Sequence, residues 1–98
     1  MIAILWRYNV RPERIADFVR IYTSDGEWAK LFAKASGYLG TELLREGEGN
    51  YLTIDRWRAR ADFDTFLSLH RAEYEALDKI CDGWTLKEER LGAFETVG

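Results

Sequence analysis

His70 is the only histidine in 98 residues and the one side chain whose ordinary pKa lies near neutral. Phe66 precedes it by four positions and Tyr74 follows it by four, so on a helix the three share a face. A histidine there can take a proton from a bound molecule while the tyrosine donates to the same molecule. We therefore assign His70 as the candidate catalytic base. The competing reading is a histidine at the margin of a core, solvated or hydrogen-bonded. Trp6, Tyr8, Trp57 and Tyr74 are the candidate substrate-binding residues, because each offers a flat apolar surface with one polar handle. Aromatic residues at these spacings also serve as ordinary core or dimer contacts.

The charged residues are more equivocal. Asp55 and Arg56 are adjacent on an expected strand and point to opposite faces, so at most one of them can look into a given cavity. Arg7 points away from Trp6 and Tyr8 for the same reason. Glu88 and Glu89 alternate across the last strand, form no carboxylate dyad, and are expected at the surface. One cysteine, Cys81, and one histidine exclude a Cys/His zinc site and an internal disulfide. Gly47-Glu48-Gly49 joins two strands, carries a carboxylate and lacks a following helix, so it is no phosphate loop. No metal and no cofactor are expected.

These residues need elements to hold them. Ile2, Ile4, Trp6, Tyr8 and Val10 alternate along a first strand. Pro12 suits a helix entry, and Ile15, Phe18, Val19 and Tyr22 follow at helical spacing. Ser24 and Glu27 match a capping box for a second helical piece, carrying Trp28, Leu31, Phe32 and Ala35 and ending at Gly37. A strand over 38–46, the turn residues 47–50 and a strand over 51–57 make a hairpin. A long helix follows, with Phe63, Phe66, Leu67, His70, Tyr74, Leu77 and Cys81 inward. Gly83 stops it before a charged last strand over 84–94.

The order predicts one α+β domain over residues 1–98, a ferredoxin-like βαββαβ antiparallel sheet with helices on one face. The hairpin strands have apolar residues on both faces, and the helices cover only one. A second copy is expected on the other, giving a homodimer through sheet faces. A net charge of −3 and the absence of a basic surplus speak against nucleic acid, as does the lack of an RNA-recognition aromatic and basic motif over 51–57. The opening apolar run, Met1 to Leu5, is too short for a signal core or membrane span, so a cytoplasmic protein with no membrane partner is expected.

Three stretches carry a resemblance. Trp6-Arg7-Tyr8-Asn9-Val10-Arg11-Pro12, Gly37-Tyr38-Leu39-Gly40-Thr41-Glu42-Leu43-Leu44-Arg45, and Tyr51-Leu52-Thr53-Ile54-Asp55-Arg56-Trp57 leading to Phe63 and Phe66 resemble the antibiotic biosynthesis monooxygenase-like family of dimeric α/β-barrel proteins. The resemblance implies a dimeric α/β barrel and a cofactor-independent monooxygenase-like activity on a small aromatic, quinol-like or polyketide-like substrate. A noncatalytic ligand-binding or regulatory dimer is the alternative. The haem-degrading branch uses an asparagine, a tryptophan and a histidine where this chain has Trp6, Phe66 and Ala76, so the resemblance does not extend to that chemistry. Cofactor-free oxygenation requires an electron-rich substrate that can lose a proton, one acceptor for that proton, and donors where the anion grows.

Overall fold

The alternation of the first strand and the hairpin builds a sheet with one strongly apolar face. In the computed structural model, which describes residues 1–98, that sheet comprises β1 (Ile2–Val10), β2 (Tyr38–Arg45), β3 (Asn50–Trp57) and β4 (Thr85–Glu95). The strand order is β2-β3-β1-β4, and every neighbouring pair is antiparallel. This is the ferredoxin-like α+β arrangement: each half of the chain crosses over a helical segment before returning to the sheet.

Pro12 opens a single 3-10 turn (Pro12–Arg14) that runs into α1 (Ile15–Tyr22). The chain then breaks before α2 (Glu27–Phe32). The expected Ser24–Glu27 capping box does not form. Gly26 is the N-cap residue, and no side chain caps the helix. A Cβ at Gly26 would fall on the Ile21 carbonyl, so close approach of the two helices selects glycine over a capping side chain at this position. The long helix α3 (Arg60–Cys81) ends before Gly83, whose φ of 80° only glycine adopts cheaply.

All three helices lie on the sheet face that carries Ile2, Ile4, Tyr8 and Val10 from β1 with Tyr51, Thr53 and Trp57 from β3. Trp57, Phe18 and Phe66 are fully buried there, and Phe32 packs edge-on to both Trp57 and Phe66 at 5.6 and 5.2 Å between ring centroids. The opposite face is open. By register it carries Leu5, Leu52, Ile54 and Leu44, with Phe94 half exposed and an Arg56–Glu42 ion pair of 2.6 Å.

Candidate active site

Strand alternation and helix packing leave a cavity of about 70 Å³ between the sheet and the helices. Its floor is Ile4, Trp6 and Tyr8 of β1 with Thr53 and Asp55 of β3 and Thr41 of β2. Its walls are aromatic, chiefly Trp28 of α2 and Tyr74 of α3. Asp78 near the end of α3 and Glu88 on β4 complete the lining, and both are solvent-exposed. The volume is about half that of an engineered protein cavity that admits benzene. A single ring therefore requires the walls to yield a little, and a polycycle requires much more.

Asp55 is the one carboxylate on the cavity floor. It faces the helices because it shares the period-two face of Tyr51, Thr53 and Trp57, whereas Arg56 points to the open side and pairs with Glu42. No basic side chain pairs with Asp55; its one hydrogen bond comes from the Thr41 hydroxyl, 2.6 Å from Oδ1. Loss of hydration pushes its pKa up to about 6, a rise that the Thr41 donor only partly offsets. Thr41 has one proton to give and gives it to Asp55, so the Tyr38 hydroxyl, 2.7 Å away, donates to Thr41. The chain Tyr38–Thr41–Asp55 thus runs from a half-exposed phenol to the cavity floor.

The tyrosines of the cavity are donors rather than anions. Burial drives the pKa values of Tyr8 and Tyr22 far above the ordinary value, and that of Tyr74 upward as well. Tyr8 receives a long hydrogen bond of 3.5 Å from Thr53, and its ring lies 6.3 Å from Trp6 in a stacked orientation. Trp28 meets Tyr74 edge-on at 5.0 Å, and its indole N–H has no hydrogen-bond partner of good geometry.

Of the five candidates named from the sequence, the fold brings Trp6, Tyr8 and Tyr74 together around the cavity and leaves Trp57 and His70 outside it. Trp57 is fully enclosed beneath the site by Phe32, Tyr38, Phe63 and Phe66. His70 sits where α3 kinks, at φ −122° and ψ 25°, and its ring stacks on Phe66. Its Nδ1 lies 2.9 Å from Glu73, which Lys34 of the segment after α2 also binds. Together these contacts describe a helix-joining polar cluster at the core margin. Asp55, Thr41 and Trp28 were not singled out as site residues. The alternation that separates Asp55 from Arg56 was visible in the sequence; which of the two faces inward required knowing the side the helices cover. Glu88, expected at the surface, is exposed yet also lines the cavity rim.

Solved structures of other proteins share this architecture. SnoaB from Streptomyces nogalater, a cofactor-independent oxygenase, is similar in fold in a variant form: TM-score 0.74 at 20% identity, covering 99% of this chain and 93% of that one. A second SnoaB structure superposes with a TM-score of 0.65 at 22% identity, over 99% and 93% of the two chains. Rv0793 from Mycobacterium tuberculosis gives a TM-score of 0.67 at 14% identity, over 99% and 95%. At such identities these matches speak for the fold alone. No curated protein matches the chain in sequence. The family model for antibiotic biosynthesis monooxygenases matches residues 1–76, which span β1 through most of α3 and all of the cavity floor. The chain belongs to the antibiotic biosynthesis monooxygenase family.

Proposed function

We propose that this protein is a cofactor-independent monooxygenase of a small, electron-rich phenol or quinol, with Asp55 as the proton acceptor. The observation that carries the reading is a carboxylate of raised pKa, without a countercation, on the floor of an aromatic cavity. Such a group is neutralised by taking a proton, so the environment favours the transfer that oxygenation requires. Asp55 removes the phenolic proton, and the phenolate passes one electron to oxygen. The resulting radical and superoxide combine at the para carbon, and Asp55 returns its proton to form the hydroperoxide. Asp55 then takes the proton from that same carbon as the O–O bond breaks, and hands it to the departing hydroxide. Phenol and one oxygen molecule give quinone and one water. In this proposal Tyr8, which lines the cavity and is kept protonated by burial, donates to the growing phenolate.

Oxygen uptake with a panel of anthrone-like, quinol and single-ring phenol substrates tests the reading. Asp55→Asn is expected to lower turnover at least 100-fold, while His70→Ala keeps most of it. Loss of turnover in His70→Ala with retention in Asp55→Asn returns the base to the histidine. Binding of the panel without oxygen uptake establishes a noncatalytic ligand-binding protein instead. The working form in this proposal is a homodimer joined through the open sheet faces.

A further inference from the structure

Every ionisable group that lines the cavity, apart from tyrosine, is an acid. Asp55 comes from β3, Asp78 from α3 and Glu88 from β4, and no lysine, arginine or histidine reaches the lining. The ion pairs of the structure leave all three carboxylates out. Arg90 stands on the helix side of β4 opposite Trp6, but it is exposed and does not line the cavity. The three acids converge on one place: after burial, Asp78, Asp55 and Glu88 raise the Tyr74 hydroxyl, and Arg90 opposes them as the smallest contribution. Beside them stand the rings of Trp6, Trp28, Tyr8 and Tyr74. Trp28 is only 7% exposed.

Aromatic faces joined to unpaired carboxylates attract cations and repel anions. Oxygenation of a phenol poses the opposite demand, because the anion it creates would grow among three acids, with Arg90, exposed and outside the lining, as the one cation that acts on Tyr74. The conflict disappears when the substrate brings the positive charge itself. We propose that the ligand of this cavity is a single-ring phenol bearing a cationic nitrogen, with the ring against Trp6 and Tyr8 and the nitrogen at the rim between Asp78 and Glu88. The proposal deepens the oxygenase reading and rests on it for the phenol; the positive charge follows from the lining alone. The small volume selects one ring, and the exposed position of both rim acids leaves the nitrogen partly hydrated.

Calorimetric titration of the full chain at neutral pH with meta-tyramine, meta-ethylphenol and meta-hydroxyphenylpropionate tests the charge, since the three share a ring with a free para carbon and a two-carbon spacer. Meta-tyramine is expected to bind roughly ten-fold more tightly than the neutral phenol, and the propionate more weakly than either. In the doubly substituted Asp78→Asn, Glu88→Gln protein the advantage of meta-tyramine over the neutral phenol is expected to fall toward unity. Both side chains are exposed, so these substitutions leave the fold intact, which circular dichroism verifies. The proposal is overturned if the propionate binds as tightly as meta-tyramine, if the meta-tyramine advantage survives the double substitution, or if no probe binds at millimolar concentration. Oxygen uptake on the same probes separates the two readings. A meta-tyramine preference without uptake defeats the oxygenase and keeps the charge assignment; uptake fastest with the propionate does the reverse.

Discussion

A carboxylic acid that loses water holds its proton to higher pH, and at Asp55 this links the proposed catalysis to stability. Its folded pKa of about 6 lies above the ordinary aspartate value, so between those limits the folded chain binds more protons than the unfolded one. Stability from this group is therefore full at low pH and declines as pH rises through about 6. Asp55→Asn is expected to stabilise the protein by roughly 1–3 kcal/mol at pH 8 and by nothing near pH 3, as read from urea unfolding at both pH values. Turnover moves the other way: it requires the ionised form and is expected to rise with pH to a plateau, with a midpoint near 6. Thr41→Val removes the hydroxyl that favours ionised Asp55, so its pH–rate profile is expected to shift to higher pH. A profile unmoved in Thr41→Val, or one that falls with pH through this range, would count against Asp55 as the base.

At the scale of elements, the site depends on how α2 and α3 seat on the sheet. Phe66 is the hinge of that packing: it is fully buried and touches the rings of Phe32, Trp57, Phe63 and Tyr74. Phe66→Ala is expected to cost about 3–5 kcal/mol of unfolding free energy, because the surrounding rings close only part of the cavity it leaves. The helix itself was readable from apolar spacing, as were β1, the hairpin and the stop at Gly83. The missing capping box has a different origin. Ser24 and Glu27 carry the local pattern, but a cap needs a particular chain entry, and the contact between α1 and α2 at Gly26 sets another. His70 shows the same limit: its position on the inner stripe of α3 was legible, while the kink that turns it to Glu73 depends on neighbours in three dimensions.

For the whole molecule, the open sheet face is the feature that one chain leaves unresolved. Leu44 and Phe94 are 43% and 50% exposed, and Leu5, Leu52 and Ile54 share their face with the Arg56–Glu42 pair. If a second copy covers this face, light scattering at micromolar concentration gives twice the mass of one chain, and Leu52→Arg shifts it to that of a monomer because a cation with only Leu44 and Arg7 opposite it is then buried. A native protein that is already monomeric removes the dimer. No helix is long and apolar enough to cross a membrane. The sequence by itself determined the order of elements and the apolar face of each, because periodicity and turn chemistry act over short stretches of chain, and three short motifs carried the resemblance to the family. Tertiary structure alone decided which acid faces the rings. Asp55 and Arg56 are equivalent by alternation, and only the side on which the helices settle makes one a desolvated carboxylate and the other a surface ion pair.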